Sequence, residues 1–558
     1  MSRRHFLKAL PAAAAVPALG ADERPAPTKG ELAVAQELVA LDLGEPERER
    51  ALDLVKRYRD HYEALRAIPI PSDTEPAFSF HPPRPKRAAA AARPAQRPAS
   101  IPNRPSSDTD LAFLPAHALA GLLRTRRVSS VELTRVYLDR LARHDPKLFC
   151  VITRTEELAL AQAEQADREI GVGRYKGPLH GIPYGIKDLF ATRGIRTTWG
   201  AKPFENQVFD YDATAVERLR GAGAVLIAKL TSGELAIDDI WFGGRTRNPW
   251  NPEKGSSGSS AGPAAATAAG LAGFTVGTET GGSIVSPAST CGVVGLRPTY
   301  GRVSRAGCMT LRWTMDKVGA IARSVEDCML VLGALHGPDG KDETVADMPL
   351  VWNGESSLKD LRVGYVESEF GDLGSDASAD DKTGWPARRK LLADALDVFK
   401  TGGAQLLPIK LPSFPAAALY AIHSAEAGAM FDDLVRSGRV KELANQGKNG
   451  RANQLHAARF IPAVEYIRAQ RVRTLLMREM NTLFETCDVF LSPTWSASLN
   501  MTNLTGHPAL VVPAGLVDGM PMALMLTGRL YDEPTLASAG LGYERATTWH
   551  ERRPPLAG

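Results

Sequence analysis

Apolar positions recur along this chain with two distinct periods. Between residues 30 and 66 they fall at helical spacing: Leu32, Val34, Leu38, Val39 and Leu41, then Leu52, Leu54, Val55 and Tyr58. A charged face runs opposite them through Glu45 to Arg59. The segment 22–66 therefore reads as one or two amphipathic helices laid against a larger body, with the outer face in water. The pattern breaks from 67 to 107, where Pro, Ala and Arg dominate, as in Pro83-Arg84-Pro85-Lys86-Arg87. This stretch predicts an extended, solvated linker. It is short and lacks the interleaved aromatics of a nucleic-acid arm.

Helical spacing returns near Asp110 and opens the main domain. Ser129-Ser130 with Glu132 in the first turn predicts a capped helix running through Leu141, and residues 156–170 predict a second. Residues 182–186 and 224–228 are short unbroken apolar runs, which predict buried strands. Further strands are expected at 488–492 and 521–527, and helical segments with several aromatics at 411–475. The acidic, small-residue stretch 367–386 reads as a solvated surface insertion, since its spacing does not match a calcium loop. Strands alternating with helices make this an α/β architecture around a mainly buried sheet.

Composition narrows the function classes. The 558 residues are 44% hydrophobic and 23% charged, ordinary for a globular protein. A net charge of +4 from 67 basic and 63 acidic residues is too balanced for a nucleic-acid partner. No stretch is apolar enough to span a bilayer, so stable membrane insertion is not expected. Residues 1–21 carry Arg3-Arg4, a weakly apolar run from Ala9 to Leu19, and small residues Gly20-Ala21, the pattern of a twin-arginine export signal. That places the mature chain outside the cytoplasm. The five cysteines, Cys150, Cys291, Cys308, Cys328 and Cys487, are widely spaced and odd in number, which argues against a disulfide framework.

The chemistry concentrates in residues 255–298, GSSGSSAGPAAATAAGLAGFTVGTETGGSIVSPASTCGVVGLRP. The glycine-rich turn Gly277-Thr278-Glu279-Thr280-Gly281-Gly282-Ser283 can point successive N–H groups at negative charge. Phosphate is disfavoured, because neither G-x-x-x-x-G-K-[ST] nor a strand-to-helix G-x-G-x-x-G occurs. The remaining use is an oxyanion hole, with Ser283 as the nucleophile beside it. No G-x-S-x-G elbow surrounds Ser283, so a Ser-Lys system is the natural alternative to Ser-His-Asp. Lys187 ends the apolar run 182–186 and is carried toward the interior, where desolvation favours its neutral form. Lys229 and His180 are rivals. Lys229 lacks the Gly177-Pro178-Leu179-His180-Gly181-Ile182-Pro183 lead-in, and no acid at an interpretable position completes a triad with His180. The apolar setting of Cys291 marks it as a buried structural thiol.

GPLHGIPYGIKD at 177–188, GSSAG at 258–262, GTETGGSI at 277–284 and CGVVGLRPTYGRVSR at 291–305 together resemble the amidase signature family, over roughly residues 108–552. The resemblance implies a large mixed β-sheet covered by helices on both faces. It implies Lys187 as the catalytic base, Ser259 as the bridging serine with a cis peptide, and Ser283 as the nucleophile. Thr280, Gly281, Gly282 and Ser283 would supply the oxyanion hole. GSS occurs twice, so Ser256 is an alternative bridge; the alanine run 264–270 falls at the family's offset from Ser259. Glu279 stands where aspartate is usual, Val285 where an arginine usually follows, and Ala261 and Pro263 replace glycine and serine. Glu279 and Val285 put the electrostatic support of the turn in question.

The implied activity is hydrolysis of a small-molecule amide through an acyl-enzyme, with neither metal nor organic cofactor. A homodimer is compatible with the sequence. Three other readings stand beside it. They are the glutaminase subunit of a tRNA-dependent amidotransferase, which shares the motifs but is cytosolic, an esterase, and an exported binding protein without activity.

Overall fold

The structure is a computed structural model and describes residues 26–39, 41–70, 78, 103–354, 356–371 and 379–557. The export signal expected at 1–21 and most of the linker expected at 67–107 lie outside the described residues.

Among the described residues, eleven strands form one sheet. In chain order they are β1 (Val151–Arg154), β2 (Pro183–Lys187), β3 (Val225–Leu230), β4 (Phe274–Glu279), β5 (Val294–Arg297) and β6 (Lys317–Ala322). They continue with β7 (Arg362–Val366), β8 (Gln405–Ile409), β9 (Val489–Pro493), β10 (Ala509–Val517) and β11 (Met520–Gly528). The spatial order is β1-β3-β2-β4-β6-β5-β10-β11-β9-β7-β8. β2 runs parallel to both β3 and β4, and β7 runs parallel to both β8 and β9. The other pairs are antiparallel, so the sheet is mixed as expected.

Every residue of β3, β4 and β6 is buried, which requires helices on both faces. Residues 225–228 of β3 read as an unbroken apolar run for that reason, while Lys229, Glu279 and Lys317 are charged groups buried at the strand ends. The long hairpin of β10 and β11 turns on Asp518-Gly519, both at positive φ, the pairing that a two-residue hairpin demands.

The helix expected through Leu141 continues to Leu148, and the one expected over 156–170 ends within one residue of its limit. Ser129 caps the helix Ser130–Leu148 by accepting the Glu132 N–H at 3.0 Å, and the next helix is Glu156–Gly171. The N-terminal segment forms two helices, Lys29–Leu38 and Glu45–Arg66. The second buries Leu65 with Met315, Ile422 and Val472, and packs Tyr58 and Tyr62 near Ala457. Arg66 pairs with Glu465 on the helix Ala463–Thr486. The N-terminal helices thus close over the 411–475 region, which is itself helical as expected.

The acidic stretch 367–386 departs from its expected form. Its ends belong to the helices Glu367–Phe370 and Ala379–Thr401, while 372–378 lie outside the described residues. The second helix continues far beyond the acidic run and buries Leu392, Ala395 and Phe399 in the main core, and that burial overrides the polar start. Pro386 sits inside it.

Candidate active site

β2 and β4 are parallel neighbours, so their carboxyl ends deliver Lys187 and Glu279 to one edge of the sheet, where ligands settle in parallel α/β folds. The loop 256–260 leads into the buried helix Ala261–Ala268. The turn 280–283 leads into the helix Val285–Cys291. Both loops end against each other: the Ser260 N–H donates to the Ser283 carbonyl at 3.1 Å. The small residues at 261–268 let this helix lie tight on the sheet, since a β-carbon on Gly262 would meet the Thr231 nitrogen at 2.4 Å.

Lys187 is fully buried. Its Nζ lies 2.8 Å from Ser259 Oγ, 2.9 Å from Thr278 Oγ1 and 3.2 Å from Ser260 Oγ. Burial lowers its pKa to about 7, while Cys308, Asp316 and Glu279 pull weakly the other way. The peptide between Gly258 and Ser259 is cis. Ser256, the alternative bridge, instead donates its hydroxyl to the Ser257 carbonyl at 3.0 Å. Gly258 has no space for a side chain, because a β-carbon there would overlap the Asp238 carbonyl oxygen at 1.8 Å. Ser283 is half-buried at the end of the turn, and Gly282 before it holds φ at +122°.

Glu279 and Val285 find their explanation here. The Glu279 carboxylate accepts the N–H groups of Ile284 and Val285 at 2.7 and 2.8 Å, on the far side of the turn. Its other oxygen takes Arg297 Nη1 at 2.7 Å and Asn503 Nδ2 at 2.8 Å. Burial pushes this carboxyl up, but Arg297 and the N–H donors outweigh it and hold it below its ordinary value. Glu279 thereby fastens residues 280–283 between the strand end and the helix start. Val285 needs no charge for this; its backbone makes the bond and its side chain is buried.

The rivals have other partners. Lys229 pairs with Asp188 at 2.9 Å and donates to Thr197 Oγ1 at 2.7 Å, away from the serines. His180 accepts the Lys176 N–H on Nδ1 and faces Glu169 with Nε2 at 3.0 Å, so it braces the lead-in to β2. His507 stacks on Phe484 and bonds Thr505. Cys291 is fully buried, and its carbonyl accepts the Trp250 indole N–H at 2.8 Å. All five cysteines are free thiols.

Several further residues surround the site. Thr278 and Ser260 complete the cage around Lys187, and Ser260 also donates to the Thr278 carbonyl. Asp316 accepts the Thr280 hydroxyl at 2.6 Å and the N–H groups of Leu311 and Arg312. His423 lies against Gly281, whose β-carbon would come within 3.2 Å of the ring. A cavity of about 230 Å³ opens beside Thr278 and Thr280. Only Ser260 and Thr278 lie within the glycine- and serine-rich motifs; Asp316 and His423 come from distant segments.

The family described as Amidase matches residues 132–501. The chain is 39% identical over 479 residues to the A subunit of the glutamyl-tRNA(Gln) amidotransferase of Roseiflexus sp. (strain RS-1), covering 77% of this chain and 95% of that one. It is 38% identical over 493 residues to the corresponding protein of Geobacter metallireducens, covering 80% and 99%. The crystal structure of the peptide amidase from Stenotrophomonas maltophilia superposes with a TM-score of 0.69 at 30% identity, over 80% of this chain and 99% of that one. The family match over residues 132–501 takes in the lysine strand and both serine loops, and the chain belongs to the amidase signature family.

Proposed function

We propose that this amidase-family enzyme hydrolyses a carboxamide through an acyl-enzyme on Ser283. The observation that carries the proposal is the 2.8 Å contact of Lys187 Nζ with Ser259 Oγ in a fully buried cage. Ser260 already donates to a carbonyl, so it accepts one N–H of Lys187. In the neutral amine a second N–H goes to Thr278, and the lone pair is left for the Ser259 hydroxyl. Ser259 takes the proton of Ser283 as Ser283 Oγ bonds the amide carbonyl carbon. The N–H groups of the 280–283 turn receive the oxyanion. The C–N bond breaks as the relayed proton passes to the leaving nitrogen. Water then adds to the acyl carbon by the same route and frees Ser283.

Two readings divide on the acyl donor. The names of the relatives support a glutaminase subunit of a tRNA-dependent amidotransferase more directly than a free-standing amidase. The Arg3-Arg4 segment favours the free-standing enzyme, because we read it as an export signal that would remove the chain from tRNA. The deciding experiment is ammonia release by the purified chain alone, from glutamine and from a panel of amides and esters, beside Ser283→Ala. Turnover of the panel by wild type and none by the variant supports the free-standing hydrolase. Turnover of glutamine alone, rising with added partner subunits, supports the subunit reading. Silence throughout overturns both.

A further inference from the structure

A second cavity, of about 720 Å³, lies away from the serines, and none of Lys187, Ser259 or residues 280–283 lines it. Its wall includes Cys291, Gly292 and Val293, at the far end of the helix Val285–Cys291 that begins two residues after Ser283. Seven residues of helix put that end about 10 Å from the turn. Trp250 stands in the same wall and gives its indole N–H to the Cys291 carbonyl. Phe113 and Leu541 add apolar lining. The other walls are the entry to the helix Val325–Leu335, the helix Glu533–Ala546 and the segment that follows it. The volume suits a small organic molecule.

This wall holds a buried cation without a counter-charge. Arg323 is 8% exposed. Guanidinium groups buried to that degree are ordinarily paired. Arg323 instead donates from Nη1 to the Ala272 carbonyl at 2.9 Å and from Nη2 to the Leu114 carbonyl at 2.8 Å. Its Nε is buried and has no partner among the described residues. Asp327, four residues on, is committed elsewhere: it accepts the N–H groups of Ala116 and His117 and faces the His117 ring at 2.9 Å. Burial opposes the His117 cation, but Asp327 outweighs it and raises its pKa to about 9, so these two charges cancel. Glu544 accepts the Val325 N–H at 2.9 Å. Burial, with Asp327 nearby, pushes its carboxyl up to about 8, so at neutral pH it is an acid with a proton to donate. His550 lines the same cavity, and its buried Nδ1 has no partner among the described residues.

Arg545 and Arg552 line the cavity from exposed positions. Among the described residues none of Arg323, Arg545 and Arg552 pairs with a carboxylate, whereas Arg553 is held by Asp110 at 2.7 Å. The wall's carboxylates besides Glu544 are Glu326 and Glu551, so positive charge is in excess.

We propose that this cavity is a second ligand site, separate from the Ser283 turn, and that it takes an organic anion with a flat apolar body. The anionic group lies against Arg323 and the Glu544 carboxyl, with Arg545 and Arg552 drawing it in. The body lies against Phe113, Trp250 and Leu541. A neutral apolar molecule would leave the Arg323 charge unanswered, and an inorganic anion would leave the aromatic wall in water. The proposal does not rest on the reaction assigned to Ser283.

The test is equilibrium dialysis of the full chain against naphthaleneacetate, its neutral match naphthaleneethanol, and inorganic phosphate. None of these is an amide or an ester, so the readout is independent of turnover. The site predicts a single naphthaleneacetate per chain, bound about tenfold tighter than either of the others. Arg545→Gln combined with Arg552→Gln should weaken it by about 3- to 10-fold. Thr548→Trp, at another exposed position in the wall, should occupy the space and weaken it by about tenfold. Arg323→Gln should weaken it by about tenfold when thermal unfolding shows the variant folded, and the surface variants decide the matter when it is not. Equal affinity for the alcohol or for phosphate overturns the proposal, as does no binding of naphthaleneacetate. Anion binding unchanged in both the paired arginine variant and Thr548→Trp also overturns it, because the anion then sits elsewhere on the molecule.

Discussion

A lysine amine held among three hydroxyls is the residue-scale feature on which the chemistry turns. Burial brings Lys187 to about 7 from its ordinary 10.5. In the proposed mechanism the neutral form is the base, so kcat/KM should rise with pH through a limb near neutrality and fall on acidification. A flat acid-side profile measured with a neutral amide would remove Lys187 from the role. The same shift has a stability sign. Below about 7 the folded chain must carry a buried cation, and above the ordinary lysine value both states are neutral. Between those limits the unfolded chain binds more protons, so this group makes stability rise with pH. Lys187→Met should therefore cut kcat by about 10²- to 10⁴-fold. It should also flatten the stability gain between mildly and strongly alkaline buffer in denaturant titrations.

Gly281 makes a second residue-scale prediction. Its missing side chain leaves room for His423, so Gly281→Ala should lower kcat, and His423→Ala in the same chain should restore part of the loss. Additive effects of the two changes in a double-mutant cycle would mean that the ring and the turn are not coupled.

At the scale of elements, the turn owes its shape to the end of one strand and the start of one helix. Glu279 closes β4, and its carboxylate caps the entry to Val285–Cys291 while pairing with Arg297 on β5. Glu279 and Arg297 are both fully buried, so removing one charge strands the other. Glu279→Gln should cost about 3–5 kcal/mol in equilibrium unfolding. Activity should fall further than stability alone accounts for, read as kcat at a temperature where the variant is folded. Retention of full kcat would show that the turn holds its shape without the carboxylate. The strand and helix limits are legible from apolar runs and caps, because those signals are local. The helix over 379–401 is hidden by its acidic start, because the burial that stabilises it lies at Leu392, Ala395 and Phe399 further along.

Across the whole molecule, the N-terminal helices join a body whose family match begins at residue 132. Leu65 is fully buried with Met315, Ile422 and Val472, so it links the added helices to the segments that carry Asp316 and His423. Leu65→Ala should destabilise the chain by about 2–5 kcal/mol, measured by thermal or denaturant unfolding. An unfolding midpoint unchanged from wild type would mean that the N-terminal pair docks without contributing to the core.

The sequence alone determined the class of fold and the candidate chemistry. Buried strands are mostly apolar, helices carry an apolar face at helical spacing, and glycine stands where backbone passes close to backbone, so each leaves a mark within a few residues. Lys187, Ser283 and the 280–283 turn stand out as candidates for that reason, whereas Ser259 as the bridge comes from the family resemblance. Tertiary structure alone decided which groups surround them. Thr278, Ser260 and Glu279 are neighbours of the motif residues that only the fold turns toward Lys187 and the 280–283 turn, and Asp316 and His423, the outer ring, come from segments far apart in the chain. Their roles follow from distance and from exclusion of water, and neither quantity has a local trace in a sequence of side chains.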